Sequence, residues 1–494
     1  MHRLPQTFHL AAHVLRFADK EPDRIALVRV APHGKLEEWS FGRLAAAVYG
    51  TAARLSGLGV RPGDRVLLRI GNTIDFPVVF LAVTVAGGVP AIASATLTVP
   101  EITALANDIR PAHVVVAPGV SQPDGAWPRI PLGDLAKSSN LAPLSPKPGD
   151  PHRPGYIVTT SGTSGRPQAV LHAHRAIWAR QSMVDGWYGL RHDDRVLHAG
   201  AFNWTYTLGT GLLDPWAAGA TAIIPESAES QDLPGLIQRH CATIFASAPG
   251  VYRQMLRHWT GASDALRHGL SAGEKLADPI RSDWESKTGT AIHEAFGMSE
   301  CSTFVSGAPR RPAPAGAIGY PQPGRRINAL DPDHGPGRTG TLAIATDDPG
   351  LMLGYLTDGV LDTLPVSGPW FPTGDRVEIR EDGAVSYLGR EDDMMNAGGF
   401  RVSPLEVEAA LADHPEIRDA AAIEFAVKET ASIIVACYVA ETVLDEAALS
   451  SHMSERLAPY KLPRRFIHMD ALPRGANGKL LRRALRREVR DDQA

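Results

Sequence analysis

Five short stretches carry residue types suited to phosphate and carboxylate chemistry. The first is TTSGTSGRPQAV, from Thr159 to Val170, set just after the apolar Tyr156–Val158. Its glycines, Gly162 and Gly165, let backbone N–H groups converge on an anion, and its hydroxyls add further donors. Such a loop suits a polyphosphate that must be held and then released. A Walker loop is excluded, because no Gly-Lys-Ser/Thr follows, and taken alone the stretch reads equally as a surface turn. The second is EAFGMSE (294–300), where Phe296 offers a flat face for a base and Gly297 permits close approach. Its Glu300 brings a hard carboxylate oxygen of the kind Mg2+ prefers. The third is FPTGD (371–375): Asp375 after a tight Thr-Gly turn could accept hydrogen bonds from two ribose hydroxyls, although a lone turn aspartate is commonplace. The fourth is GREDDMMNAGGFRVSPLEVE (389–408), and the fifth is LPRGANGKLLRR (472–483), with Lys479 after an Asn-Gly turn. Neither a Gly-x-Ser-x-Gly elbow nor a catalytic Cys/His pair is present.

These residues must be positioned by a large frame. A chain of 494 residues exceeds one compact core, so two or three domains are expected. DRVLLRI (64–70), HVVVA (113–117), ATAIIP (220–225) and ATIFAS (242–247) read as buried strands. FGRLAAAVYGTAARLSGLG (41–59) has apolar residues at helical spacing and ends at glycine. Alternation of the two predicts an α/β architecture with parallel sheet. The uncharged run from Phe76 to Pro100 is long enough to span a bilayer, but Gly87, Gly88 and Pro90 interrupt it. It reads as a buried helix, a Gly-Gly turn and a buried strand. From about Ala317 the pattern becomes β-rich, with short strands at 340–345 and 384–389. A helix at 403–415 and a strand at 431–440 then announce a compact α+β tail. LLRRALRREVR (480–490) places Leu481 and Leu485 four apart, as a docked amphipathic helix would.

The net charge of −4 argues against nucleic-acid binding. Cys241, Cys301 and Cys437 lie far apart and form no metal-ligand spacing, which points to a reduced, cytoplasmic setting. The N-terminus shows no signal-peptide pattern and no membrane span is expected.

Together, in this order and at this spacing, the five stretches make the chain from Arg24 to Arg487 closely resemble the adenylate-forming superfamily of acyl-CoA synthetases, luciferases and peptide-synthetase adenylation domains. FNWTYTLGTGLLDPWAAGA (202–220) and DDMMNAGGFRVSPLEVEAAL (392–411) are similar to acyl-CoA synthetases of the benzoate and short- or medium-chain type. The resemblance implies a large N-terminal AMP-binding domain, residues 1–390, made of α/β subdomains and a small β-rich one, and a small mobile α+β domain, residues 391–494. It implies that an acid reacts with ATP to give an acyl-adenylate and pyrophosphate, and that CoA then takes the acyl group and releases AMP.

The resemblance also implies a role for each matching position. Thr160, Ser161, Gly162, Thr163, Ser164, Gly165 and Gln168 would hold the β- and γ-phosphates. Gly273, Glu274 and Lys275, with Glu294, Ala295, Phe296, Gly297 and Met298, would line the adenine and the acyl group. Ser299 and Glu300 would meet phosphate and Mg2+, and Asp375 and Arg390 the ribose. Asp392 would be the hinge, Lys479 the adenylation lysine, and Gly398, Gly399 and Phe400 the strand facing CoA. Phe202, Asn203 and Trp204, with Ser247 and Gly273, would form the acyl pocket, whose aromatic walls favour a compact apolar or aromatic monocarboxylic acid.

Four positions depart from the superfamily pattern. Gln168 stands where Lys is usual, Phe296 where Tyr is common, Ser299 for Thr, and Asn396 where Lys is frequent. Arg166 offers a replacement charge beside Gln168. Two alternatives stay open: a free-standing enzyme that loads a carrier protein, and a non-catalytic nucleotide or acyl sensor. A homodimer is left open as well.

Overall fold

The computed structural model describes residues 3–31, 35–136, 141–160, 168–226, 228–261, 263–331, 335–391, 393–397, 400–428, 431–457, 459–475 and 480–491. The chain divides into two compact units. Unit 1 comprises Met1–Arg326 and Ala345–Phe371, and unit 2 comprises Ile327–Ile344 and Pro372–Ala494.

Two sheets build unit 1. The eight-stranded sheet runs in the order Val360–Leu361, Gly354–Thr357, Gln168–Ala173, Pro154–Thr160, Val89–Ile92, Arg65–Arg69, His113–Val116 and Arg129–Pro131. Its parallel strands are continuous apolar runs because both faces are covered, and Val66, Leu67 and Leu68 are fully buried. The helix Val99–Ile109 packs its Ile102, Leu105 and Ile109 on one face, and starts at a Thr98–Glu101 capping box with Pro100 in its first turn.

The uncharged run resolves as the sequence predicts. Asp75–Val85 is a helix buried almost all round, which marks a core helix of a large protein. Gly87 then takes a left-handed φ of 87°, with Pro62 atoms 3.2 Å from where a side chain would begin, and the chain enters the buried strand Val89–Ile92. Among the described residues no helix is long and apolar enough to cross a membrane.

The nine-stranded sheet has a parallel centre of Ile292–Met298, His268–Ala272, Ile244–Ser247, Arg195–Ala199, Thr221–Pro225 and Ile25–Val30. Ser302–Ser306 and Tyr320–Pro321 extend one edge and Leu36–Ser40 the other, all antiparallel. One face packs Leu197, Phe245, Tyr252 and Trp284. The other packs Val196, Leu270, Trp187 and Tyr206. The parallel pairing of these strands ends at Ala199, Ser247, Ala272 and Ala295, and candidate residues lie at or just beyond those positions. Ligand sites of open α/β sheets lie at such carboxyl ends.

Unit 2 holds a five-stranded sheet in the order Gly335–Gly337, Ile327–Asp331, Thr339–Ala345, Trp370–Ile379 and Val385–Arg390. It also holds a three-stranded sheet of Asp419–Lys428, Ala431–Val439 and Arg465–His468. The helices Pro404–Ala412 and Glu446–Ser454 bury Val407, Leu411, Leu449 and Met453 with Ile434, Ala436 and Tyr438 of that sheet.

The C-terminal helix Arg482–Asp491 packs with the alternate side chains Ile423, Val435 and Cys437. It docks through a different pair from the one expected. Leu481 is exposed, because the helix starts one residue after it; Leu485 and Val489, again four apart, are the buried pair.

Candidate active site

The Ser/Thr/Gly loop is the connection of an antiparallel hairpin. Thr160 pairs with Gln168 in register, so the two ends of the loop are backbone neighbours. Ser161, Gly162, Thr163, Ser164, Gly165 and Arg166 lie outside the described residues. Gln168 is exposed at the point where the chain re-enters the sheet. Four residues on, His172 stacks on Tyr156, with ring centroids 4.8 Å apart, and its Nε2–H donates to the Ser299 carbonyl at 2.7 Å. Burial lowers the His172 imidazole to about 4, which keeps it neutral.

Ser299 and Glu300 follow the strand Ile292–Met298. Glu294, on that strand, points inward: its carboxylate accepts from Leu276 N at 2.9 Å and pairs with Arg281 at 3.2 Å. It therefore fixes the segment 273–276 against the strand. Burial raises its carboxyl to about 7, against the opposing pull of the Leu276 N–H and Arg281. Ala295 is buried, Met298 partly so, and the Phe296 ring meets Phe304 edge to face at 5.5 Å.

The close approach that Gly297 permits is to protein backbone. A side chain there would come within 2.5 Å of Ser302 O and Thr303 Cα, at a register shift between the two strands. Gly273 has φ 100°, and a side chain there would meet the Trp204 indole at 2.7 Å. Glu274 is partly buried and Lys275 exposed.

Glu300 is buried, and its Oε1 accepts from the Tyr355 hydroxyl at 2.8 Å. Its carbonyl accepts from Met352 N at 2.7 Å. Tyr355 pairs with Val170 on the strand that leaves the Ser/Thr/Gly loop. His172 and Tyr355 thus tie Ser299 and Glu300 to the loop's own strand, joining two motifs that are far apart in the sequence. Tyr355 and His172 were not among the expected residues, since nothing local marks a tyrosine in MLGYLTD as the partner of a distant acid.

Asp375 does not follow a turn as expected. It sits inside the strand Trp370–Ile379, where Gly374 adopts φ 74° and accepts from Glu391 N at 2.8 Å. A left-handed glycine inside a strand gives the same sequence signature as a tight turn. Asp375 is buried and lies directly opposite Arg390 in the hairpin register. Its Oδ2 pairs with Arg390 at 3.2 Å and its Oδ1 accepts from the Tyr387 hydroxyl at 2.8 Å. Burial and the neighbouring Asp375 raise the Tyr387 phenol, so it remains a donor. Phe400 opens the strand Phe400–Val402, which pairs with Met395–Ala397. Asp392, Gly398, Gly399 and Lys479 lie outside the described residues.

The aromatic segment after Arg195–Ala199 is held by Asn72, which accepts from Phe202 N at 2.9 Å and donates to Gly200 O at 2.9 Å. Phe202 is buried beside Phe76, with centroids 5.8 Å apart. Asn203 is partly buried. Trp204 meets Tyr206 edge to face at 5.4 Å. Ser247 is buried and its hydroxyl is used on Ala199 O at 2.9 Å, bracing two strand ends.

Among the described residues no group of three or more His, Cys, Asp or Glu side chains is arranged to hold a metal ion. A single buried carboxylate with a tyrosine on one oxygen fits Mg2+ brought in by phosphates, since that ion takes one or two carboxylates beside phosphate and water.

The structure thus brings together the two ends of the Ser/Thr/Gly hairpin, a buried carboxylate tied to its strand and an aromatic segment at the carboxyl end of the second sheet. The chain belongs to the AMP-binding enzyme family: the model of that family matches residues 14–356, and that of the AMP-binding enzyme C-terminal domain matches residues 406–479. It is similar to the 4-hydroxybenzoate–CoA/benzoate–CoA ligase of Rhodopseudomonas palustris, at 29% identity over 488 residues, covering 90% of this chain and 88% of that one. The benzoate–CoA ligase of Thauera aromatica is 29% identical over 474 residues, covering 88% of each. The solved structure of the anthranilate CoA ligase AuaEII in complex with anthranoyl-AMP shares the fold, with a TM-score of 0.86 over 98% of both chains at 24% identity.

Proposed function

We propose that this AMP-binding enzyme is an acid–CoA ligase that activates a small-to-medium apolar or aromatic monocarboxylic acid. It converts acid and ATP to acyl-adenylate and pyrophosphate, then passes the acyl group to CoA and releases AMP. The observation that carries this reading is the tie between Glu300 and the loop strand: the Tyr355 hydroxyl reaches Glu300 from a strand in register with Val170. The ligases among its relatives support CoA as the acceptor.

A carboxylate is a poor nucleophile, and its target, the α-phosphate, is anionic. Charge repulsion and orientation are the obstacles, and catalysis consists of neutralising the first and fixing the second. In this reading the loop from Thr160 to Gln168 holds the outer phosphates with backbone N–H groups and hydroxyls. Glu300 is the Mg2+ ligand; when bound, the ion supplies charge neutralisation at the phosphates. Asp375, held by Arg390 and Tyr387, accepts from the ribose hydroxyls, and Phe296 stacks on the adenine. Lys479 bridges acid and phosphate in the first step. Asp392 is the hinge, and Gly398, Gly399 and Phe400 face CoA in the second step, so residues 391–494 move relative to residues 1–390 while water is kept out. Phe202, Trp204 and Gly273 bound the acyl group. All three cysteines are free, which supports a cytoplasmic setting.

Carboxylate-dependent pyrophosphate release, measured with and without CoA over aliphatic and aromatic acids, tests the reading. Turnover that requires CoA and yields a thioester supports it. Pyrophosphate release without thioester, restored by a phosphopantetheine carrier, moves the acceptor to a carrier protein. Activity confined to dicarboxylates or sixteen-carbon acids sinks the acyl assignment.

A further inference from the structure

Two residues after Glu300 the chain meets a buried ion pair that the proposed chemistry does not use. Ser302 has φ 60°, in the left-handed region that residues other than glycine rarely adopt. It pairs with Met298 across the hairpin, and Cys301 N donates to Met298 O at 3.3 Å. Ser299, Glu300 and Cys301 therefore form the turn that this conformation closes. A residue stays in such a conformation only where its surroundings hold it there. Here the Ser302 hydroxyl accepts from the Arg180 guanidinium.

Arg180 is fixed in turn. Its Nε and Nη2 donate to the two oxygens of Asp214 at 3.0 and 2.7 Å. The Tyr188 hydroxyl donates to the same carboxylate at 2.7 Å and lies 3.0 Å from the Thr210 hydroxyl. All four side chains are buried. Burial opposes the charge on Arg180, but Asp214 beside it outweighs that and raises the guanidinium above its ordinary value. Two π-helical turns, Val184–Tyr188 and Gly209–Leu213, deliver Tyr188 and Thr210, and Asp214 follows directly after the second. Turns of that kind are rare and often occur at functional sites. Gly209 makes the room, since a side chain there would begin 2.1 Å from the guanidinium.

We propose that Arg180, oriented by Asp214, is a positioning residue for Glu300: by holding Ser302 in the left-handed conformation it sets the turn that presents the carboxylate. The proposal rests on the reading of Glu300 as the Mg2+ ligand. A buried ion pair adds little net stability over apolar packing of similar volume. What a guanidinium bound to both carboxylate oxygens supplies is direction, and direction is what a turn with a left-handed serine requires. His172, Met352 and Tyr355 hold Ser299 and Glu300 themselves. Arg180 holds the residue that ends their turn.

The test compares the intact enzyme with Ser302→Ala and Ser302→Gly. Alanine loses the hydroxyl and still resists the left-handed conformation; glycine loses the hydroxyl and adopts that conformation freely. The first readout is binding of a non-hydrolysable ATP analogue across a Mg2+ titration, by calorimetry without acid or CoA. The second is kcat for pyrophosphate release with the best acid of the panel. Ser302→Ala should raise the half-saturating Mg2+ concentration and lower kcat by about tenfold each, the scale on which outer partners of a metal ligand act. Ser302→Gly should stay within about threefold of the wild type in both, because the turn closes without the bond. Asp214→Asn keeps the shape but loosens the hold on Arg180, and should raise the same Mg2+ concentration. The Ser302 variants decide the matter if it does not fold, which thermal melting reveals. Wild-type Mg2+ dependence in Ser302→Ala, or an equal loss in the alanine and glycine variants, overturns the proposal and leaves the ligase reading intact. Analogue binding by the wild type that ignores Mg2+ removes Glu300 as the ligand, and the proposal with it.

Discussion

Glu300 in unit 1 and Asp375 in unit 2 are both buried carboxylates that accept a hydrogen bond from a tyrosine, but they are assembled from different distances. The partners of Asp375 are 12 and 15 residues away on the neighbouring strand of one hairpin. Tyr355 is 55 residues from Glu300 and belongs to the other sheet of its unit. The Asp375 cluster follows from a local register, whereas Glu300 is placed only when two sheets have docked. One carboxylate also carries its own guanidinium across the ladder, which suits the binding of neutral hydroxyls. The other is tied to the strand that leaves the Ser/Thr/Gly loop, which in the proposed reading suits a metal brought in with a nucleotide.

The largest effect should follow removal of the Glu300 charge. Glu300→Gln keeps the acceptor for Tyr355 and should cost about 100-fold or more in kcat for adenylation, the scale seen when a transition-state electrostatic contact is lost. Pyrophosphate release across a Mg2+ titration measures it, and a loss under threefold at saturating Mg2+ would remove Glu300 from the chemistry. Asp375→Ala comes next. It removes the proposed ribose acceptor and the carboxylate that pairs with Arg390, so the KM for ATP should rise by about 10- to 100-fold, corresponding to about 1.5–3 kcal/mol for a charged hydrogen bond. The effect should fall on nucleotide binding, and an unchanged ATP affinity by calorimetry would refute the role.

The two tyrosines sharpen the contrast. Tyr355→Phe should raise the Mg2+ concentration for half-maximal activity by about tenfold, since one hydrogen bond to a charged group is worth about 1.5 kcal/mol. Tyr387→Phe leaves the Arg390 pair in place, so its effect on the ATP KM should be smaller, about threefold, because the remaining ion pair still fixes the carboxylate. Equal Mg2+ dependence in both variants would erase the distinction between the two carboxylates.

Legibility in the sequence follows the same line. The central strands, the helix at 41–57 and the Gly87 turn were readable because burial on both faces leaves continuous apolar runs and because glycine marks φ above zero. Family membership was readable because the five motifs occur in fixed order. The tyrosines that hold Glu300 and Asp375 were not, since a partner set by sheet docking or by register leaves no local mark. Gly374 was read as a turn because a left-handed glycine within a strand has the same neighbours as one between strands. The periodicity of LLRRALRREVR admits two starting points for the buried face; the helix begins after Leu481, whose N–H is bonded to Pro473 O, and buries Leu485 and Val489.

Glu294 provides the smallest effect on chemistry and the clearest on stability. It lies six residues before Glu300, and the sequence reading placed both at the ligands. The structure turns its carboxylate toward Leu276 N and Arg281. Burial raises the carboxyl from 4.5 to about 7. A carboxyl whose folded value lies above its unfolded one binds more protons in the folded state between the two values. Its stabilising contribution is therefore complete below about pH 4.5 and is lost as the pH rises to about 7. The loss is on the order of 3 kcal/mol for a shift of that size. Glu294→Gln retains an acceptor for Leu276 N and carries no proton to lose, so its melting temperature should fall less than that of the wild type between pH 5 and pH 7. Adenylation should change by only about twofold, in line with a substitution away from the reacting groups. Parallel melting curves for the two proteins would show that the Glu294 carboxyl is not raised. A fall in adenylation as deep as that of Glu300→Gln would show that the first acid of EAFGMSE does chemistry as well as the last.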